Sequence, residues 1–393
     1  MRFLAPVRDA NLPAMMKNAL ATSLIALALL GCIPKEGQVS TPPPQGAPTG
    51  PASAPATPAE AVPEKAAAPV VDLTPVPFET ARANFVRDTS ARYGIPAAEI
   101  EATLARANFL DSVVAAMSRP AERVKPWHEY RPMFISQARI DGGRAFLEKN
   151  RVALEKVQAR SGVPAELIVA IIGVETSYGG NTGRYSVLDA LYTLAFRYPR
   201  SGDPARLERE VRRELFFRDE LAQLFALGRE EKLDIAALKG SYAGAMGLGQ
   251  FMPSSYRQFA VDGDGDGRRD LFNSLDDVFA SVANYFVEKG GWVAGGPVVV
   301  PATLASGREP FNPEDWTPSH SLEALAGRGY APQQPVPAGA TATPVSLEGS
   351  TGPQYWLGFQ NYYAITRYNI SKMYAMAVYQ LSQAIAGREI PPA

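Results

Sequence analysis

Glu175 closes an apolar run, Val163 to Val174 (VPAELIVAIIGV), and is followed by Thr176 to Gly180 (TSYGG). A carboxyl placed where a greasy helix meets a glycine break has its anion disfavoured twice. Burial strips its water, and the negative end of the helix dipole opposes its charge. A carboxyl kept protonated near neutral pH can serve as a general acid. The competing reading is a structural ion pair with Arg184 or Arg197, because such pairs also perturb pKa values. Further on, Gly240 to Tyr256 reads GSYAGAMGLGQFMPSSY. Gly240, Gly244, Gly247 and Gly249, with Ala243 and Ala245, remove side chains from this stretch. Backbone bared in this way approaches a ligand or a neighbouring helix closely. Gln250 adds an amide, and Pro253 suits the opening of another helix.

A second constellation is acidic. Asp262 to Asp277 reads DGDGDGRRDLFNSLDD. Asp262, Asp264 and Asp266 take positions one, three and five of an EF-hand-type loop, and Gly267 takes position six, where the turn needs glycine. Arg268 offers a backbone carbonyl at seven and Asp270 lies at nine. Position twelve is Asn273 rather than glutamate, so a longer loop would close with Asp276 or Asp277. Carboxylates this close repel one another without a cation. Calcium, or sodium in its place, is the expected occupant, and an empty acidic turn is the alternative. The expected role is structural, holding the segment after Gln250. No organic cofactor is expected.

These residues need elements to carry them. Phe85, Tyr93 and Ile95 anchor a helical pattern that starts at Phe78. Pro96 opens a second segment with Ile100, Leu104, Phe109 and Leu110. A further helix is predicted over Gly142 to Arg160. Pro164 starts one that runs to about Thr176, and its apolar surface all round places it inside a core. Tyr185–Phe196, Leu207–Leu227, Leu275–Lys289 and Ile370–Ala386 also read as helices. Val298–Leu304 and Thr341–Leu347 read as strands of a small β-containing insertion, about 295–350. The fold class is mainly α (α+β), and no internal repeat is evident.

The 393 residues are 46% hydrophobic and 20% charged, enough for one large domain or two smaller ones. A net charge of −1 gives no basic excess that would point to nucleic acid. His128 and His320 are the only histidines, which argues against a histidine-rich zinc site and leaves a Ser-His triad few candidates. Cys32 is the single cysteine, so no intrachain disulfide forms. It follows Arg2, Arg8, Lys17, an apolar run from Ala19 to Leu30, and LLGC (Leu29 to Cys32). The run is short for a membrane span and reads as a signal peptide, 1–31. Small residues before Cys32 resemble a bacterial lipobox, with cleavage after Gly31 and lipidation of the thiol. An ordinary signal peptide is the alternative. Translation could also begin at Met15 or Met16. Residues 32–77 are rich in Pro, Ala, Thr and Gly and nearly free of aromatics, which predicts a tether.

VETSYGG together with GAMGLGQFMPSSY resembles the lytic murein transglycosylase B family of bacterial cell-wall enzymes. Tyr355 to Asn369 (YWLGFQNYYAITRYN), Tyr374 and AMAVYQL resemble it too. The likeness runs from about Phe78 to Ala386, and implies a catalytic domain over 78–391. It implies a lysozyme-like helical core with an additional helical part and a small β subdomain. It implies cleavage between N-acetylmuramic acid and N-acetylglucosamine of peptidoglycan glycan strands, leaving a 1,6-anhydromuramoyl end. By the same resemblance Glu175 is the single catalytic acid/base. Ser241 is the hydroxyl that hydrogen-bonds it, and Gln250 contacts substrate. Tyr130, Tyr285, Tyr368, Asn369 and Tyr374 fall on cleft positions. Arg200 matches a sugar-peptide contact, but Ser201 replaces a second arginine and the following GDPARL departs from the pattern. A lengthened acidic loop belongs to the family, which favours Asp276 as the closing ligand. Ile33 carries no acidic retention signal, and by analogy this favours the periplasmic face of a Gram-negative outer membrane. Partners in a wall-remodelling complex leave no mark in the sequence.

The residues support the same chemistry on their own terms. Hydrolytic glycosidases use two carboxylates. The two motifs offer no second acid, and Asp189 is a weak candidate. One carboxyl suffices if the substrate supplies its own nucleophile. A hydrolytic muramidase and a non-catalytic wall-binding lipoprotein remain as alternatives.

Overall fold

The computed structural model describes residues 72–118 and 125–391. The expected leader, Cys32 and the tether as far as residue 71 lie outside the described residues. Helices α1 (Phe78–Tyr93), α2 (Ala97–Leu104), α3 (Asp111–Ser118) and α4 (Trp127–Tyr130) are followed by α5 (Gln137–Lys149), α6 (Arg151–Ser161) and α7 (Ala165–Thr176). A two-residue ladder joins β1 (Tyr185–Ser186) to β2 (Lys239–Gly240), with α8 (Val187–Phe196) and the long α9 (Pro204–Glu230) between them. α10 (Pro253–Phe259) and α11 (Leu275–Asn284) flank the acidic loop. Then come β3 (Val299–Leu304), β4 (His320–Ser321), α12 (Leu322–Gly327), β5 (Tyr330–Pro332), β6 (Thr341–Gly349) and β7 (Gly352–Gly358). α13 (Gln360–Tyr368) and α14 (Lys372–Ile385) complete the described chain.

α7 is the axis of the core. Every residue in it but Glu166 is buried, and it packs against α5, α6, α11 and α14. Glu166 pairs with Arg388 at 3.0 Å. α6 and α7 meet at 113°. Gly162, with φ of 69°, makes the corner, and the Gln158 side chain accepts the Ala165 N–H at 2.7 Å where Pro164 has no capping group. The far end is strained. Ser177 and Tyr178 both lie in the left-handed region, at φ of 52° and 60°. Each costs on the order of 1 kcal/mol and persists because its surroundings over-determine it. The Tyr178 ring lies in a slot against Gly142, Gly143 and Gly173, and its hydroxyl donates to the Arg139 carbonyl at 2.8 Å. This turn is what brings Glu175 to the end of the helix.

Several elements differ in extent from their sequence patterns. The stretch Gly142–Arg160 is two helices broken at Asn150, whose amide turns back to the Phe146 carbonyl. Tyr185 and Ser186 are a strand, and α8 starts only where Ser186 caps it. α9 begins early because Asp203 accepts the Ala205 N–H ahead of Pro204. Leu275–Lys289 is α-helical to Asn284 and then widens into a π turn, Tyr285–Lys289. Ser371 caps α14, so that helix starts at Lys372.

The β part is a five-stranded antiparallel sheet in the order β4-β6-β7-β3-β5. It reaches Gly358, beyond the expected limit near 350, because Tyr355, Trp356 and Leu357 pair with both β3 and β6. One face, with Val299, Val345 and Trp356, joins the main core. The other, with Val300, Tyr330 and Leu357, encloses a small core of its own. The Trp316 indole N–H donates to the Ile370 carbonyl at 2.7 Å, tying this part to the segment before α14.

Candidate active site

Glu175 is 7% exposed on the last turn of α7. Tyr374, in the first turn of α14, donates its hydroxyl to Glu175 Oε1 at 2.5 Å. Burial raises the carboxyl, the tyrosine bond favours its anion, and the balance leaves it pushed up to about 7. No ion pair to Glu175 occurs among the described residues, and Arg197 pairs with Asp111 at 2.8 Å instead. Tyr130 and Tyr368 have their hydroxyls held above the ordinary range, by burial first and then by the charge of Glu175. Tyr368 donates to the Gly249 carbonyl and Tyr285 to the Arg367 carbonyl, each at 2.7 Å, with the two rings 4.9 Å apart. These tyrosines, brought from α4, the π turn, α13 and α14, form an aromatic surround for one acid.

The Gly-rich stretch is packed against protein backbone. A Cβ at Gly240 would lie 2.2 Å from the Ala245 carbonyl oxygen, and one at Gly247 would lie 2.6 Å from that of Leu271. Met246 and Phe251 exchange backbone hydrogen bonds at 3.0 Å, closing a small hairpin with Gln250 at φ of 51°. Thr176 Oγ lies 3.1 Å from the Leu248 carbonyl oxygen, so the hairpin rests on the residue after the acid.

Ser241 does not hold Glu175 in this structure. Its oxygen accepts the Ala245 N–H at 3.0 Å and the Ala243 N–H at 3.3 Å, because the serine opens a tight turn and caps it. Gln250 commits its amide N–H groups to the carbonyls of Thr182 and Gly247, at 3.1 and 3.0 Å. Asn369 accepts from the Ser371 N–H at 3.1 Å and is half-buried at the end of α13. Arg200 belongs to a different cluster, paired with Glu214 at 2.6 Å beside the Tyr198 ring. Asp189 accepts the Asn108 N–H at 2.9 Å, a structural task at the head of α8.

In the acidic loop, Asp262, Asp264 and Asp266 each place a carboxylate oxygen within 4.8 Å of the others, all exposed. The Asp262 carboxylate accepts the N–H groups of Gly265, Asp266 and Gly267, and the Gly267 bond contributes most to holding it below the usual carboxylate range. Hard oxygen donors at this spacing fit calcium or sodium. Arg268 follows directly and donates its N–H to Asp266 at 2.8 Å. Asp276 is not part of the cluster, since the chain has already entered α11. Asp277, 1% exposed, clamps the loop instead: it accepts the N–H groups of Gly263 at 2.7 Å and Asp270 at 2.6 Å.

Sequence reasoning missed three partners. Tyr374 was expected in the cleft, not on the acid. Thr176 carries the hairpin, and its position beside Glu175 was the available signal. Glu220 is another buried carboxyl, and the sequence hides it behind two charged neighbours, Arg218 and Asp219, just before the apolar run Leu221–Leu227 of α9.

Residues 77–383 match the transglycosylase SLT domain family. The chain is 41% identical over 311 residues to the membrane-bound lytic murein transglycosylase B of Escherichia coli (strain K12), covering 77% of this chain and 81% of that protein. Its fold matches the catenated lytic transglycosylase SltB1 of Pseudomonas aeruginosa with a TM-score of 0.71 and 45% identity, over 78% of this chain and 96% of that one. The Escherichia coli lytic transglycosylase Slt35 in complex with calcium matches at 0.68 and 40%, over 78% and 92%. SltB3 of Pseudomonas aeruginosa in complex with NAG-anhNAM-pentapeptide matches at 0.66 and 32%, over 80% and 81%. These enzymes have the lysozyme-like fold, and the chain shares it, with a small curled sheet beside its helical core. An acid at the end of a buried helix, a tyrosine surround and an acidic loop stand on that shared fold, and the chain belongs to the lytic murein transglycosylase B family.

Proposed function

We propose that this protein cleaves the β-1,4 bond between N-acetylmuramic acid and N-acetylglucosamine in peptidoglycan without water, leaving 1,6-anhydromuramoyl ends. The observation that carries the reading is Glu175 at the end of α7, a buried carboxyl held near 7 with the Tyr374 hydroxyl on one oxygen and Tyr130 and Tyr368 close enough to feel its charge. Glu175 gives its proton to the glycosidic oxygen as the bond to the anomeric carbon breaks. The 2-acetamido oxygen closes on that carbon as an oxazolinium. The glutamate, now anionic and steadied by Tyr374, takes the proton of the sixth-carbon hydroxyl. That oxygen attacks the anomeric carbon, the oxazolinium opens, and Glu175 is again protonated. Internal attack gains from effective molarity and needs no second carboxylate. Tyr130, Tyr285, Tyr368 and Asn369 would line the sugar path, with Gln250 and Ser241 shaping the hairpin beside it. Arg200, tied to Glu214, would be a weak peptide contact.

Asp262, Asp264 and Asp266, with the Arg268 carbonyl, would hold calcium or sodium as a structural ion. The calcium bound in the related Slt35 supports this assignment. Lipidation at Cys32 would anchor residues 78–391 through the tether to the periplasmic face of the outer membrane; the related transglycosylase B is named as membrane-bound. Mass spectrometry of digested sacculi tests the reaction. The anhydro product is one water lighter than a reducing muramic end. Reducing ends alone would mean a hydrolytic muramidase, and no release at all a non-catalytic wall-binding protein.

A further inference from the structure

Glu220, on α9, is buried more deeply than the acid, at 2% exposed, and takes no part in the glycan cleavage assigned to Glu175. Its Oε1 accepts from Ser254 Oγ at 2.5 Å and its Oε2 accepts the Ser254 N–H at 2.9 Å. Ser254 is the second residue of α10, and Met252 provides that helix with no side-chain cap. Glu220 therefore does from a neighbouring helix what an N-cap side chain does from within. Burial pushes its carboxyl up to about 7, a cost that an apolar packing residue would not carry. Arg257, also on α10, is paired with Glu230, and Asp219 with Arg92.

The hairpin Met246–Phe251 runs straight into this grip. Its backbone pairing is closed at Met246 and Phe251, its tip touches Thr176 Oγ and the Tyr368 hydroxyl, and its downstream end is fixed where Ser254 meets Glu220. We propose that Glu220 is a positioning residue for the glycan cleft: by holding Ser254 with both oxygens it sets where the Gly247–Phe251 hairpin stands against Thr176 and Tyr368, and so governs glycan binding and not proton transfer. This role rests on the glycan-cleaving function proposed for the chain.

Glu220→Gln keeps the size and one acceptor oxygen but cannot accept both bonds. For purified peptide-free glycan strands its KM rises about tenfold, the worth of one buried hydrogen bond lost, while kcat stays within about threefold of the parent. Ser254→Ala, which leaves the backbone bond, raises KM about threefold, and the double variant adds little beyond Glu220→Gln. Glu220→Asp, with both acceptors kept, recovers part of the lost affinity. Affinity is also read without turnover, by calorimetry with the same strands in a Glu175→Gln background. A lower melting temperature with KM unchanged in both single variants overturns the proposal and leaves Glu220 a packing residue. If Glu220→Gln does not fold, Ser254→Ala alone decides by the same criterion. A parent that yields no anhydro product sinks the reaction assignment instead, and the calorimetry still judges Glu220.

Discussion

Tyr374 and Glu175 stand 199 residues apart in the chain, yet the tyrosine hydroxyl lies 2.5 Å from the carboxyl oxygen. The bond stabilises the anion against a site that otherwise favours the neutral acid. Tyr374→Phe removes that support and raises the carboxyl further. Activity that depends on the protonated acid then persists to higher pH, so the alkaline limb of the pH–rate profile shifts upward. A limb that stays in place, or moves down, would show that the bond does not tune the acid.

Glu175→Gln keeps the shape and loses the transferable proton. Release of muropeptides from sacculi falls by about 10²–10⁴-fold, the range for general acid–base catalysis. Melting temperature is the control, since a folded inactive variant separates chemistry from collapse.

Stability should fall as pH rises. Glu175 and Glu220 are both raised from 4.5 to about 7 by burial. A carboxyl raised on folding binds its proton more tightly when folded, so its contribution is full below the unfolded value and is lost as pH climbs through the folded one. The window is therefore about 4.5 to 7, and each group is worth roughly 3 kcal/mol at most. Urea unfolding at pH 5 and pH 8 measures it. The parent loses stability across that range and Glu220→Gln loses less.

The acidic loop makes two separable predictions. Chelation lowers the melting temperature of the parent by several degrees, and Asp264→Ala removes the response, because an ion bound only by the folded state stabilises by mass action. Asp277→Ala destabilises by about 3 kcal/mol with or without calcium, since it strands the buried N–H of Gly263 and that of Asp270. Equal behaviour of the two variants would mean that Asp277 is a ligand after all.

The features legible in advance were those that depend on neighbours in sequence. The apolar run before Glu175 dictated a buried helix and a raised acid, and the spacing of Asp262, Asp264 and Asp266 dictated a cluster. The features that stayed hidden depend on which partner wins, far along the chain or close by. Nothing near Tyr374 says that its hydroxyl meets Glu175. Ser241 has the right type for the acid's partner, but its own turn claims its oxygen first. Asp276 and Asp277 look equivalent as letters, and only the start of α11 decides which one turns inward. The break at Asn150 was hidden because the apolar positions on either side of it, Phe146, Leu147, Val152 and Leu154, also suit one continuous helix, and β7 was hidden because its first residues, Gly352 to Gln354, lack a strand pattern.

The widened turn at Tyr285–Lys289 fixes a length. A π turn holds one more residue than the α turn it replaces. Deleting one residue there would restore regular winding, and because the wide turn absorbs its extra residue the flanking segments would keep their phase. What changes is the bulge itself, which would draw Tyr285 back from the Arg367 carbonyl and the Tyr368 ring. The extra residue between Leu275 and Gly290 is therefore a spacer for one side chain: it pushes Tyr285 out to the tyrosine wall without turning the acidic loop at the other end of the helix.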